Sequence, residues 1–480
     1  MQPDIFRTLL GACIIAAGLT SASVIDRRYI QHRDALDHNV FEHGATGAKL
    51  SFVKNSGICE TTAGVNQYSG YLSVGENLNM WFWFFEAREN PETAPLISWL
   101  GGGPGNAAEY GLFTQNGPCQ FYDEDTEPSL NPHSFNNYAN VLYIDQPIGT
   151  GFSYGDTSQV NSTKDSSPYV WNLLQAFSAA FPEYEGRDFG IFTESYGGHT
   201  GPEVARYILE KNEEIEKGAD GTKINLVALG LSNAWFDARM QELANIEYAF
   251  NNPYRPLINE TVRDELLSLY NETVVPSIDK CRATDSMEDC FGAYMTYLND
   301  LEFRMLAAAR ETYGTVDIGD IRANPTRPNT QHIQYLQRPD IQEAVGGLTN
   351  YTDSGGAIGI VLSGDGKYPY AKSFTSELSD VVKAGVKVLI WTGDADYVCN
   401  YVGTQRIAES VEWSGQQVFT DAAMEPYTVN GIQKGEFKKL DNLNLARVYE
   451  AGHNLMWYQP EAGIQIFRQF LIEPEGVRST

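Results

Sequence analysis

From Pro95 to His453 the chain repeats one pattern: a short apolar run rich in β-branched and aromatic residues, cut off by glycine, serine or aspartate. PLISWL, NVLYIDQP, DFGIFTES, INLVALGLSN, VKVLIWTGD and ARVYEAGH are six such runs. Their near-continuous hydrophobicity predicts strands buried on both faces. Stretches with helical spacing lie between them, YVWNLLQAFSAAF before the third and PEVARYILEKNEEI after it. Strands alternating with helices predict an α/β class and a parallel or mixed sheet covered on both sides. Upstream, YSGYLSV and NLNMWFWFFEA read as an antiparallel hairpin turning near Gly75 to Asn77.

The rhythm fails in two places. Residues 24 to about 57 are polar and irregular and read as an arm or a trimmed pro-segment. Residues 237–345 hold helical runs such as RDELLSLYNE and YLNDLEFRMLAAARETYG with few strand signals. They predict a helical insertion capping one edge of the sheet. The resulting division is a signal peptide at 1–22, an arm at 23–66, a core in two parts at 67–236 and 346–480, and the insertion between the parts. The signal peptide is read from Arg7, the apolar stretch Leu9 to Leu19 and the small residues Ser21 to Ser23. That stretch is too short to span a bilayer.

Composition narrows the class. The net charge is −28, which argues against a nucleic-acid partner, whose phosphates need a basic face. No later segment is apolar enough to suggest a membrane partner. Oligomeric state stays open between monomer and homodimer. Sequons at Asn161, Asn259, Asn271 and Asn350 suit secretion, with the vacuole as the alternative. Of six cysteines, Cys13 leaves with the signal. Cys281 and Cys290 are spaced for a local bridge. The odd count leaves one free thiol among Cys59, Cys119 and Cys399, whose connectivity the sequence leaves open, with Cys59–Cys119 the expected second pair and Cys399 the expected packing thiol.

Candidate chemistry concentrates where the apolar runs stop. DFGIFTESYGGHTGPE carries a strand into Glu-Ser-Tyr-Gly-Gly and then a helix, the context of a nucleophile elbow at Ser195. Thr193 stands where such elbows usually have glycine. A serine hydroxyl needs a base, and in this arrangement acid and histidine follow it along the chain. Asp394 and Asp396 lie past one late strand, and His453 lies past the next. The other histidines sit in the arm, in loops or too near Ser195. Backbone N–H donors must approach a developing oxyanion. The side-chain-poor stretch WLGGGPG, residues 99–105, suits that task, with the N–H of Tyr196 as second donor. No Lys-Ser/Thr follows the glycines, so a phosphate loop is a poor reading. Neither HExxH nor paired CxxC occurs, so no metal and no cofactor are inferred.

In order, QYSGYL, WLGGGPG, NGPC, DQPIGTGFSY, ESYGGH, GDADYVCN and EAGH resemble the motifs of the serine carboxypeptidases, especially secreted fungal members. The resemblance runs from about Gln67 onward. It implies an α/β-hydrolase fold with a helical cap, acting on peptides through an acyl-enzyme, or on small acyl substrates. It implies Ser195 as nucleophile, His453 as base and then acid, and Asp396 as the residue orienting the imidazole. It implies an oxyanion hole from the N–H groups of Gly103 and Tyr196, and a substrate pocket lined by Tyr154. Asn454 is expected at the same pocket because it directly follows His453.

Two departures from that pattern stand out. The substrate's terminal carboxylate would meet Glu194, but Gln115 replaces a second glutamate and Gly101 an asparagine. Glutamine is nearly isosteric with a protonated glutamate and donates at any pH. A hydrogen bond to a charged group lost at residue 101 would cost roughly 1.5–3 kcal/mol, and glycine leaves space there. Three readings follow: a carboxypeptidase, an esterase, amidase or acyltransferase with a weakened carboxylate grip, and a catalytically silent binding protein. The intact Ser195–His453 pair weighs against the last.

Overall fold

The structure is a computed structural model that describes residues 26–33, 36–44, 47–123, 125–160, 162–354 and 371–480. The expected signal peptide and Asn161 lie outside them. One sheet of fourteen strands organises the molecule. In chain order its strands are β1 Arg27–Arg33, β2 Leu36–Glu42, β3 Lys49–Lys54, β4 Gln67–Gly75, β5 Leu78–Phe85, β6 Leu96–Leu100 and β7 Asn140–Ile144. They continue as β8 Tyr154–Gly155, β9 Asp188–Glu194, β10 Asn225–Ser232, β11 Lys387–Gly393, β12 Glu425–Val429, β13 Ile432–Leu440 and β14 Leu443–Val448. Across the sheet the order is β1-β2-β3-β4-β5-β7-β6-β9-β10-β11-β14-β13-β12, with β8 beside β5. The central six, β7 to β14, run parallel. The flanks are antiparallel.

Each of the six apolar runs forms one of these central strands, and alternation decides which face each side chain serves. Leu142 and Ile144 of β7, and Val388 and Ile390 of β11, point to a core shared with the helices Thr163–Ala180 and Gly197–Glu216. Val141, Tyr143, Leu389 and Trp391 point the other way, into a core closed by Phe467 and Phe470 of the helix Pro460–Leu471. Both faces are therefore dry, as parallel strands require.

The arm departs from expectation. Residues expected to be irregular form β1, β2 and β3 and prolong the sheet through paired backbone. All seven residues of β1 are exposed, so its sequence RRYIQHR carries no apolar alternation to betray it. β2 and β3 contribute Val40, Phe41, Leu50, Phe52 and Val53 to the buried set.

Between β10 and β11 the structure lays down helices from Ala238–Phe250 to Phe303–Tyr313 around a third buried cluster, while Gln331–Leu336 and Pro339–Val345 pack into the second core. Cys281 and Cys290 are bridged within the third cluster, and Cys59 is bridged to Cys119. No helix among the described residues is long and apolar enough to cross a membrane.

Candidate active site

In an open parallel sheet, chemistry gathers beyond the carboxyl ends of the strands, where loops diverge and backbone groups are unspent. Here β6 ends at the glycine stretch, β9 at Ser195, β10 at Asn233, β11 at the Asp394–Asp396 loop, and β14 leads to His453. Residues far apart in sequence therefore meet along one edge.

Ser195 sits at φ +54°, a left-handed value that a side chain rarely adopts. Its N–H donates to Ser232 O at 3.0 Å, and its carbonyl accepts from Trp235 N–H at 2.7 Å. Both glycines after Tyr196 are required by contact. A Cβ on Gly197 would lie 1.9 Å from Thr193 Oγ1, and one on Gly198 would lie 2.3 Å from Trp235 O. The threonine in place of the usual glycine thus fills space that Gly197 leaves open.

His453 Nδ1 lies 2.7 Å from Asp396 Oδ2, and Asp396 is fully buried. A carboxylate there makes Nδ1 the protonated nitrogen and leaves Nε2 as the acceptor. Asp396 Oδ1 accepts from Val398 N–H at 2.9 Å, while Oδ2 also accepts from Asn233 Nδ2 at 2.9 Å. Burial pushes the His453 pKa down, but the charge and hydrogen bond of Asp396, with Glu194 and Asp317 nearby, outweigh it and raise the value to about 9. The two aspartates separate cleanly. Asp394 braces the neighbouring loop by accepting from Tyr254 O–H, from Glu450 N–H at 2.9 Å and from Arg447 at 3.4 Å.

The glycine stretch closes against the nucleophile. A Cβ on Gly102 would lie 2.7 Å from Glu194 O and 2.9 Å from Ser195 Cβ. Gly103 has φ +109°. Position 101 corrects the sequence reading, because glycine leaves no space there. A Cβ would lie 2.2 Å from the carbonyl oxygen of Asn106. The backbone itself occupies the place of the absent side chain.

Gln115 and Glu194 do come together. Gln115 Nε2 donates to Glu194 Oε2, both side chains are buried, and Gln115 Oε1 has no partner. Gln115 lies in a wide five-residue turn, Leu112–Asn116, that continues the short helix Ala108–Gly111; such widened turns recur at functional sites. Burial raises the pKa of Glu194, with Asp353 adding to it, against the opposing influence of His453 and the Gln115 hydrogen bond. Asn454 pairs with the Tyr110 hydroxyl at 2.9 Å. Tyr154 has its ring 5.2 Å from that of Tyr71 and its backbone paired with Asn79. No hydrogen bond or ring contact among the described residues joins it to Ser195 or His453. Cys399 is a buried free thiol, and burial holds its pKa well above the ordinary value, so it stays protonated.

The sequence reading missed Tyr110, Asn233 and Gly319, whose carbonyl accepts from His453 N–H at 2.7 Å. Only Asn233 had a usable signal: it terminates INLVALGLSN, the same kind of position as Ser195. Of the sequons, Asn259, Asn271 and Asn350 are exposed. Asn259 Oδ1 caps the helix Glu260–Leu269, and Asn271 Nδ2 donates to Leu267 O at 2.7 Å.

A family model described as serine carboxypeptidase matches residues 57–473. The chain is 49% identical over 432 residues to carboxypeptidase S1 of Penicillium janthinellum, covering 89% of this chain and 100% of that protein. It is 36% identical over 422 residues to carboxypeptidase Y of Schizosaccharomyces pombe, covering 85% of this chain and 41% of that one. A crystal structure of Kex1, a prohormone-processing carboxypeptidase from Saccharomyces cerevisiae, superposes with a TM-score of 0.73 at 22% identity, over 86% of this chain and 92% of the other. That likeness establishes the fold. With six parallel strands delivering their loops to one edge, and a match spanning nearly the whole described chain, this protein belongs to the serine carboxypeptidase family and has its α/β-hydrolase fold.

Proposed function

We propose that the chain releases C-terminal residues from peptides, with Ser195, His453 and Asp396 as its triad. His453 Nε2 takes the Ser195 proton as Oγ attacks the scissile carbonyl, then gives it to the departing amine. Water reverses the sequence and frees the acyl group. Asp396 holds the imidazole in the tautomer that leaves Nε2 basic. The N–H groups of Gly103 and Tyr196 receive the oxyanion. The reading rests on the 2.7 Å bond between His453 and Asp396 and on the left-handed backbone of Ser195.

The carboxylate of the leaving residue is assigned to Glu194 and Gln115. A raised pKa keeps Glu194 protonated further up the pH scale than a free glutamate, and a protonated carboxyl can donate to a carboxylate. Gln115 spends one N–H on Glu194 and keeps the other for substrate. A second reading, an esterase, amidase or acyltransferase, draws on Gly101, where no side chain donor exists. Two disulfides and the exposed sequons favour an oxidising compartment and hence secretion, with the vacuole as the alternative.

An organophosphorus reagent tests the enzymatic core. It should label Ser195 stoichiometrically in the folded protein and leave the S195A variant unlabelled. Folded protein that resists labelling would exclude both hydrolytic readings.

A further inference from the structure

Asn233 lies one residue past β10, fully buried, at φ +41°. Asparagine tolerates this left-handed region better than most residues, yet backbone held there is commonly over-determined by its surroundings. Its N–H donates to Trp391 O at 2.8 Å, at the end of β11. Its amide nitrogen donates to Asp396 Oδ2 at 2.9 Å and reaches Gly452 O, the residue before His453, at 3.4 Å. At the other end, Oδ1 accepts from Ser232 O–H at 3.3 Å and from Gly393 N–H at 3.4 Å. Both ends of the amide fix its orientation, since a reversed amide would set oxygen against the Asp396 carboxylate. The flanking residues Ser232 and Trp235 grip the backbone of Ser195 from both sides. One corner of chain therefore touches Ser195, Asp396 and the residue that leads into His453.

We infer that Asn233 is a positioning residue for catalysis, which fixes the Asp396 carboxylate and shares its Oδ2 with His453 Nδ1. This deepens the triad assignment above and rests on it. Asp396 is acceptor-only, and the same oxygen receives both donors. Without the amide, Asp396 would be held only by the Val398 N–H on Oδ1 and by His453 itself on Oδ2. More of its negative charge would also fall on the imidazole, so the imidazolium would hold its proton more tightly.

Other groups face the pair: Glu194 from β9, Asp317 and Tyr248 from the inserted helical region, and Cys399 from the Asp396 loop. They remain in place in the variants below, so a shift in pH profile reports the amide.

Two variants test the assignment. Asn233→Gly keeps the left-handed backbone at low cost and deletes the amide. It should lower kcat on a blocked dipeptide about tenfold to a hundredfold, the range for a hydrogen bond to a charged group. KM should stay within about twofold, and the acid limb of kcat/KM should move to higher pH, because that limb reports the free enzyme's base. Asn233→Asp is nearly isosteric. Its carboxyl, pressed against Asp396, should replace the amide as donor while protonated, so activity should be rescued at acidic pH and lost as the new group ionises. Organophosphorus labelling of the parent Ser195 separates the two levels. A parent that fails to label removes the triad reading itself. A parent that labels, with Asn233→Gly folded and unchanged in both kcat and acid limb, overturns the role of Asn233 alone. Loss of activity in Asn233→Asp that is equal at every pH would also overturn it, by marking a purely structural role.

Discussion

The two halves of the site ask opposite things of a proton. Around His453, catalysis needs an imidazole that has lost its proton, while Asp396, Glu194 and Asp317 raise its pKa to about 9. Around the assigned carboxylate grip, binding needs a proton retained on Glu194, whose pKa burial raises. Lowering the pH strengthens the grip and weakens the base. On the proposed roles, the difference teaches that the working window would be set by two buried groups pulled upward for different reasons, one by opposite charge and one by desolvation.

The sharpest break in the comparison comes from the catalytic half. Asp396→Asn keeps the geometry but favours the wrong imidazole tautomer. By analogy with other serine triads, kcat should fall about ten-thousandfold with KM little changed, as read by steady-state assays at several pH values. Equal loss in binding and turnover would show that Asp396 holds the fold together instead.

The grip half is probed next by Gly101→Asn. Restoring the family's asparagine would drive a Cβ toward the Asn106 carbonyl, 2.2 Å from its ideal position. The variant should lose about 1–3 kcal/mol of stability in denaturant unfolding and gain no activity on free-acid peptides. A gain without destabilisation would mean that the Asn106 loop moves aside and that the missing donor limits binding.

Gln115→Glu sharpens the pH contrast itself. Two adjoining carboxyls cannot both ionise easily, so protons would fill the grip only at low pH. KM for a free-acid peptide should rise about tenfold at neutral pH, the lower end expected for losing a hydrogen bond to a charged group. It should approach the parent value in acid, while an amide substrate is unaffected.

The smallest effect concerns a second proton-holding pair, under the loop of DQPIGTGFSY. Glu109 and Asp145 are both fully buried. Trp81 Nε1 donates to Glu109 at 2.7 Å, and the N–H groups of Ala108 and Phe152 donate to Asp145 at 2.8 Å. Burial raises both pKa values, that of Asp145 to about 6. The folded state thus binds more protons than the unfolded chain. Stability is full below the ordinary carboxyl range and falls as the pH climbs through the raised values. Glu109→Gln supplies a permanent donor and should raise Tm at pH 7–8 by a few degrees, with little change at pH 4. A Tm that drops at both pH values would contradict a shared proton.

The sequence made one half of the site far easier to read than the other. Ser195, Asp396 and His453 each lie past the end of an apolar run, and the parallel sheet carries those ends to one edge, where His453 bonds Asp396, so strand ends guided the choice of candidates. The departure at Gly101 was equally visible, but its meaning was not, because the Asn106 carbonyl that fills the position comes from a turn with no signature. Asn233 looked like an ordinary strand terminus, and its amide mattered only once β11 and β14 lay beside it. Gly319 comes from the inserted helical region, which periodicity cannot dock against the sheet. Strand β1 was hidden for a different reason: an edge strand exposed on every residue has no hydrophobic pattern to show.

One assay meets the central claim head-on. The purified protein would be given a single N-blocked dipeptide as free acid, amide and methyl ester, at acidic and at neutral pH, and kcat/KM compared. A strong preference for the free acid is expected in acid, shrinking as Glu194 ionises. A preference for amide and ester at both pH values would contradict carboxylate recognition by Glu194 and Gln115, and would leave a triad that serves an esterase or acyltransferase.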